Sequence, residues 1–114
     1  MYFDEGVVSY SNEAKINRLG VRKETLDRYG AVSEEVAKEM VMGLTTDVAL
    51  STTGIAGPDG GSEEKPVGLV YMGIRIKDKI YVEKRVFRGD RNKVRERTVS
   101  HTSFTLIKIL NEDV

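Results

Sequence analysis

Residues 67–88, VGLVYMGIRIKDKIYVEKRVFR, decide the fold class of this chain. Apolar side chains alternate along 67–77 and, less regularly, along 80–88, which is the period of a half-buried strand. The polar triplet Lys77–Asp78–Lys79 separates the two runs and is short enough for a tight turn. The stretch therefore predicts a β-hairpin, which gives the sheet an antiparallel component.

Helix patterns occur on both sides of this hairpin in the sequence. Ser11–Asn12, Ser33 and Asp90 are side chains of the types that cap helix starts, and Gly20 and Gly30 are typical helix ends. The predicted elements are a strand at 7–10, helices at 13–19, 22–29 and 34–44, strands at 47–52, 67–77 and 80–88, and a helix at 91–110. This order predicts an α/β protein in which helices cover a sheet.

The composition of the 114 residues is that of one globular domain, 1–114, with 39% hydrophobic and 32% charged residues. The absence of cysteine excludes disulfides and thiolate metal sites, and one histidine is too few for a histidine-rich metal site. The formal net charge of zero argues against a globally basic nucleic-acid binder. No apolar run reaches the ~20 residues of a membrane span, and MYFDEGVV does not resemble a signal peptide, so a cytoplasmic protein is expected.

A glycine-rich stretch, TGIAGPDGGSEEKPVG at 53–68, follows directly after the predicted strand 47–52. Glycines let backbone N–H groups approach an anion closely, and ligands bind at strand ends of open α/β sheets. The stretch matches neither the P-loop nor the dinucleotide fingerprint. An anion-binding loop and a long structural turn are both compatible with it.

A second candidate is Tyr10-Ser11-Asn12-Glu13-Ala14-Lys15, at a strand-to-helix junction. Ser11 and Lys15 are four residues apart and would share a helix face. A lysine whose pKa is lowered can act as a general base for a hydroxyl nucleophile, and Tyr10 could relay a proton. The spacing alone favours the alternative, a capped helix with a surface lysine.

Arg91 and Arg95 lie in the first turns of the last predicted helix, where they oppose the helix dipole. Three explanations would account for arginines at this position. In the order that the sequence favours, they are a partner carboxylate, a subunit contact and a bound phosphate. His101 is interpreted as a partly exposed packing residue, since no neighbour in the sequence forms an acid–base pair with it.

Four stretches, in this order and spacing, resemble the CinA C-terminal domain family: GVVSYSNEAKINRLGV (6–21), GAVSEEVAKEM (30–40), TTGIAGPDGGSEEKPVG (52–68) and FRGDRNKVRERTV (87–99). The resemblance extends from about Phe3 to Leu110. The TGIAGP…GG…KPVG and YSN..K runs are highly specific when they occur together.

This resemblance implies a three-layer α/β/α sandwich around a mixed sheet, and a homo-oligomer. It also implies a nicotinamide-nucleotide amidase, which hydrolyses nicotinamide mononucleotide to nicotinic acid mononucleotide and ammonia in pyridine nucleotide recycling. The family uses a serine nucleophile with a lysine general base and a supporting tyrosine, without metal or cofactor. The catalytic residues carried over are Lys15 and Tyr10. The substrate-binding residues implied are Asn12, Thr53, Gly54, Gly57, Gly60, Gly61, Arg91 and Arg95.

The sequence departs from the family at the nucleophile. The family's serine lies in a Glu-Ser-Cys-Thr-Gly-Gly type motif upstream of YSN..K, and no Ser-x-Thr-Gly-Gly occurs in this chain. Ser9 and Ser11 are not equivalents. We therefore expect the family's first strand and nucleophile helix to be missing, and the isolated chain to be inactive and to self-associate through an exposed sheet edge. A domain fragment, a late gene start and a degenerate paralogue remain open, as does a non-catalytic nucleotide-binding or assembly module.

Overall fold

A computed structural model describes residues 5–112 of the chain. Its elements are α1 (Asn12–Leu19), α2 (Lys23–Tyr29), α3 (Glu34–Met42), β1 (Val48–Gly54), β2 (Leu69–Ile76), β3 (Lys79–Val86) and α4 (Arg91–Glu112). This order confirms the predicted α/β class. Residues 1–4, which include Phe3 and half of the stretch inspected for a signal peptide, lie outside the described residues.

Local sequence signals set the helix starts at, or within one residue of, the predicted positions. The Ser11 and Ser33 hydroxyls accept hydrogen bonds from the amides of Ala14 and Val36 at 3.0 and 3.2 Å. Asp90 accepts from the Lys93 amide at 2.9 Å. Each cap satisfies an amide that the helix itself leaves without a partner.

The sheet has the strand order β1-β2-β3, and both pairings are antiparallel. The predicted hairpin is confirmed as β2 and β3, with Ile76 opposite Lys79. The turn is one residue shorter than the Lys-Asp-Lys triplet, because Lys79 already pairs and Lys77 turns the chain at a positive φ of 56°. The pairings thus specify which side chains share a face of the sheet.

The strand predicted at 7–10 is wrong: these residues contain no regular secondary structure. A β-prone run becomes a strand only where another strand supplies hydrogen-bond partners, and 7–10 pairs with none of the three described strands. As a result, all pairings within residues 5–112 are antiparallel, and the parallel component of the expected mixed sheet is not present there.

Helices cover both faces of the sheet, which gives three layers. On one face, the Ser51 hydroxyl donates to the Ala37 carbonyl of α3 at 2.8 Å. A Cβ on Gly73, which pairs with Ser51, would lie only 2.7 Å from the same carbonyl. On the other face, Val94 of α4 packs against Val70 and Met72. The small residues at Ser51 and Gly73 thus let α3 approach the sheet closely.

The main apolar cluster lies among the first three helices. Its buried members are Leu19, Val21, Leu26, Val36 and Met40. The start of α2 has no cap from its own N-cap residue, Arg22, so α3 provides one. Glu39 accepts hydrogen bonds from the Arg22 amide at 2.8 Å and from the Thr25 hydroxyl at 2.6 Å.

Arg75 joins the middle of the sheet to the end of α3. Its guanidinium donates hydrogen bonds to four backbone carbonyls at 2.7–2.9 Å, those of Val41, Leu44, Thr46 and Lys77. Three of these carbonyls belong to α3 or to the connection that leads into β1. Arg75 therefore fixes where β1 begins.

None of the four helices within residues 5–112 combines the length and the apolar character that crossing a lipid bilayer requires.

We expect Arg75→Ala to lower the free energy of unfolding by about 2–4 kcal/mol, because it leaves several half-buried carbonyls without a charged donor. Urea denaturation followed by far-UV circular dichroism measures the change. Arg85→Ala is the matched control: Arg85 also lies on a hairpin strand, but it contacts only Glu83 at the surface, at 3.3 Å. Its loss should cost less than about 1 kcal/mol. Equal effects for the two variants would contradict the role given to Arg75.

Candidate functional site

The glycine-rich stretch forms a loop between the end of β1 and the start of β2, and backbone hydrogen bonds join the two ends of this loop. The Ile55 amide donates to the Leu69 carbonyl at 2.9 Å, and the Gly68 amide donates to the Ile55 carbonyl. Gly57 has a φ of +88°, and a Cβ there would lie 2.5 Å from the Val67 side chain. A side chain at position 57 would therefore be both strained and obstructed.

Two side chains tie this loop to the connection between α2 and α3. The Thr53 hydroxyl donates to the Ala31 carbonyl at 2.8 Å, and the Lys65 amine donates to the Tyr29 carbonyl. Thr53 is buried and occupied by this bond. Its observed role is to anchor the base of the loop.

A small cavity of about 200 Å³ lies on the opposite face of the sheet, between the loop base and α4. Its lining residues are Thr52, Gly54, Ala56, Val70, Val94, Arg95, Thr98 and Val99. Arg95 provides the one positive charge in this lining. The volume is below the ~300–1,000 Å³ of most ligand pockets, so the cavity has room for no more than a small group of a ligand.

Arg91 and Arg95 have different surroundings although they share one helix face. The Arg91 guanidinium donates to the Gly57 carbonyl at 3.1 Å, which joins the first turn of α4 to the loop. Arg95 lies against the cavity instead. Among the described residues neither arginine has an acidic side chain within ion-pair distance, so the first-ranked explanation, a partner carboxylate, is wrong for this part of the chain.

Lys15 is buried, in contrast to the surface lysine that the spacing favoured. It lies in the first turn of α1, and its amine donates to the Ser9 carbonyl at 3.2 Å. Burial lowers the pKa of the Lys15 amine from its ordinary value. The Ser11 hydroxyl accepts the helix-cap hydrogen bond from the Ala14 amide, and the Lys15 amine bonds to the Ser9 carbonyl instead of to Ser11.

The other predicted site residues are dispersed. Tyr10 is 93% exposed, and Asn12 is exposed at the first position of α1. Gly60 and Gly61 are exposed at the tip of the loop. None of these four residues, nor Lys15, lines the cavity beside Arg95. Within residues 5–112, the predicted catalytic lysine and the predicted anion site are therefore separate features.

Thr52 and Thr98 line the cavity but were missed by sequence reasoning. Thr98 donates its hydroxyl to the Val94 carbonyl one turn earlier, whereas Thr52 faces the cavity from β1. The alternation of side chains along a strand could have found Thr52, because residues 52 and 54 share a face. Nothing in the sequence marks Thr98 as a neighbour of the loop.

His101 is partly exposed and packs against the Phe87 ring, as interpreted from the sequence, but it also has an acidic partner. Its Nε2 lies 3.0 Å from an Oε1 of Glu83 across the interface of α4 and β3, and Thr105 donates to the same carboxylate. Burial raises the pKa of Glu83, but the neighbouring His101 imidazole and hydrogen bonds from Arg85 and Thr105 more than offset this, so the pKa lies below its ordinary value. The pair links two elements that are distant in sequence.

Comparison with known proteins gives a consistent family assignment. The profile of the CinA C-terminal domain matches residues 1–110. A CinA-like protein of Fusobacterium nucleatum subsp. nucleatum is 62% identical over 112 residues, which are 98% of this chain and 28% of that protein. A CinA-like protein of Kosmotoga olearia is 59% identical over 99 residues, which are 83% of this chain and 24% of that protein. The chain thus spans about a quarter of the length of these curated relatives.

Solved structures support the same assignment. The competence damage-inducible protein A of Klebsiella pneumoniae subsp. pneumoniae superposes with a TM-score of 0.91 at 36% identity, covering 95% of this chain and 70% of that chain. A competence/damage inducible protein of Agrobacterium tumefaciens superposes with a TM-score of 0.83 at 39% identity, covering 88% and 64%. With the match over residues 1–110, these relatives show that the chain belongs to the CinA family, through its C-terminal domain.

Proposed function

We propose that this chain is part of a cytoplasmic amidase that hydrolyses nicotinamide mononucleotide. It carries the catalytic lysine and binds the nucleotide. The carboxamide C–N bond is broken, the oxygen of water is added to the carbonyl carbon, and the nitrogen leaves as ammonia. The observation that carries the proposal is the burial of the Lys15 amine, whose pKa is lowered and whose hydrogen bond among the described residues is to the Ser9 carbonyl.

An amine in these surroundings suits general-base chemistry. An exposed lysine is protonated at neutral pH and cannot accept a proton, whereas burial favours its neutral form. A neutral amine can deprotonate a hydroxyl that attacks the carboxamide. Lys15 is held by the first turn of α1, which Ser11 caps, so its backbone position is fixed before any ligand binds.

The phosphate of the substrate is negatively charged, so the proposal requires a second site with a positive charge to bind it. Arg95 and the loop base around Gly54 border the cavity of about 200 Å³, and that volume suits a phosphate group. Arg91 acts on this site indirectly, because its bond to the Gly57 carbonyl fixes the loop against α4. Arg95 is therefore the better candidate for direct phosphate contact, and Arg91 for positioning the loop.

The nucleophile is the part that this sequence does not contain. The chain has no Glu-Ser-Cys-Thr-Gly-Gly type motif, and the Lys15 amine bonds to the Ser9 carbonyl rather than to the Ser11 hydroxyl. The chain on its own is thus a binding module with a general base. A polypeptide that carries the serine would complete the amidase.

We expect the purified chain to release no measurable ammonia from nicotinamide mononucleotide, since a lysine and a tyrosine cannot replace a covalent nucleophile in this mechanism. An enzyme-coupled ammonia assay measures this, with Lys15→Ala as the control for a contaminating amidase. Robust turnover that disappears in Lys15→Ala would contradict the expectation. Restoration of turnover by a co-expressed family segment with the serine motif would support the amidase over a purely non-catalytic module.

We expect the chain to bind nicotinamide mononucleotide more tightly than nicotinamide riboside, and Arg95→Ala to remove most of the difference. A charge-assisted contact is worth about 1.5–3 kcal/mol, so the affinity for the phosphorylated ligand should fall roughly tenfold or more. Isothermal titration calorimetry with both ligands gives the comparison. Lys108→Ala, which removes one charge further along α4, should leave the preference intact. Equal affinity for both ligands in wild type would reject the phosphate site.

We expect Lys15→Met to be at least as stable as wild type near neutral pH. The folded-state pKa of Lys15 lies below its unfolded value, so folding buries an ammonium at a cost that is full at low pH. The cost declines as the pH rises through the folded pKa, and the advantage of Lys15→Met should decline with it. Urea denaturation at several pH values tests this, with Lys38→Met, at an exposed position of α3, as the control. A Lys15→Met protein less stable than wild type at every pH would show that the amine serves stability.

A further inference from the structure

Segment 5–9, with the sequence EGVVS, contacts α1 at more than one turn although it forms no strand. Val7 packs against the apolar cluster to which Leu19 of α1 belongs. Two residues later, the Ser9 carbonyl accepts the hydrogen bond from the Lys15 amine at 3.2 Å. Lys15 and Leu19 are the buried residues of α1 and lie one turn apart on the same face. The segment therefore contacts the cluster at one turn of α1 and the lysine at the other.

The dimensions of the chain allow this double contact. Two residues of extended chain span about 6.6 Å, and four residues of helix rise about 6 Å. A segment that runs antiparallel to α1 can thus meet the cluster with one residue and the lysine, one helical turn away, with the next residue but one. An ion pair between Glu5 and Arg18, in the last turn of α1, fixes the far end of the segment in this direction.

We propose that segment 5–9 positions the general base: it fixes the carbonyl that holds the Lys15 amine, and it keeps water away from that amine. The proposal rests on the proposed function, in which Lys15 accepts a proton. Glu5 and Val7 are then positioning residues, since they act through the segment and not on a substrate. A neutral amine has two N–H groups and one lone pair, so a fixed acceptor for one N–H restricts where the lone pair points.

Neighbouring charges do not account for the state of this amine. Burial is the cause that lowers the pKa of Lys15. Among the described residues no acidic side chain lies within ion-pair distance of the amine: Glu5 is paired with Arg18, and Glu39 of α3 is bonded to the start of α2. Glu13, on α1 itself, is exposed. If the segment moves away, water reaches the amine and its pKa should rise.

Titration of the Lys15 amine in the full chain tests the proposal. Its ¹⁵N chemical shift is followed against pH by NMR, and the resonance is assigned by its loss in Lys15→Met. Glu5→Gln is the decisive variant, because its two effects on the Lys15 pKa have opposite signs. Loss of a nearby negative charge alone lowers the pKa of an amine, whereas release of the segment raises it. We expect a rise. Glu5 is exposed, so this variant should fold.

Val7→Ala should also raise the pKa of Lys15, because it weakens the packing of the segment on the cluster. Val7→Ala combined with Glu5→Gln should raise it by about one unit, toward the ~10.4 of a solvated lysine. Glu13→Gln is the matched control: Glu13 is an exposed acid closer in sequence to Lys15, but it lies outside the segment. Its loss should leave the Lys15 pKa unchanged or slightly lower.

A Lys15 pKa that does not rise in Glu5→Gln, or does not rise in the double variant, would overturn the proposal and leave the proposed amidase untouched. An ordinary pKa in wild type would overturn both, since the amine would then be neither shielded from water nor a base at neutral pH. The measurement needs no substrate. A rise in both variants therefore supports the role of the segment even if a chain completed by the serine motif shows no turnover, a result that would reject the amidase alone.

Discussion

The rest of the structure depends on the close approach of α3 to the sheet. The contact is made by small groups: the Ser51 hydroxyl bonds to the Ala37 carbonyl, and Gly73 leaves space beside them. One side of α3 packs closely against the sheet. The other side of α3 packs with α1 and α2, and its Glu39 caps the start of α2. Arg75 then fixes the chain between α3 and β1 by four carbonyl contacts, so one helix sets the positions of two others and of a strand.

The loop of the candidate site is held in place by contacts with both helical layers. Thr53 ties the loop base to Ala31, just before α3, and Arg91 ties the loop to the first turn of α4. A loop held from both sides of the sheet can present its backbone amides without first losing much conformational freedom. The cost of ordering the loop is met when the protein folds rather than when a ligand binds. This makes the loop a better candidate for recognition than its glycine content alone suggests.

Most helices and strands were predicted from signals contained within a few residues. Contacts between residues that are distant in sequence were not predicted. The Ser33 cap and the β2–β3 hairpin lie within short stretches whose own chemistry determines them. Residues 7–10 have strand character but no partner strand among the described residues. Three of the four carbonyls that Arg75 contacts, and the partner of His101, are 18 or more residues away in sequence. Likewise, the spacing from Ser11 to Lys15 indicates a shared helix face without showing whether that face is buried.

Burial changes the interpretation of Lys15 more than that of any other residue of the site. A lysine that stabilises a fold through charge sits at the surface or beside an acid, where its ammonium form is favoured. Lys15 is buried, its pKa is lowered, and within residues 5–112 its amine donates a hydrogen bond only to a backbone carbonyl, so the folded state disfavours the charged form. A methionine or leucine of similar length would fill the same space without that penalty. We therefore expect Lys15 to reduce stability relative to an apolar residue of similar length, and a buried lysine with that penalty fits the proton-accepting role proposed above.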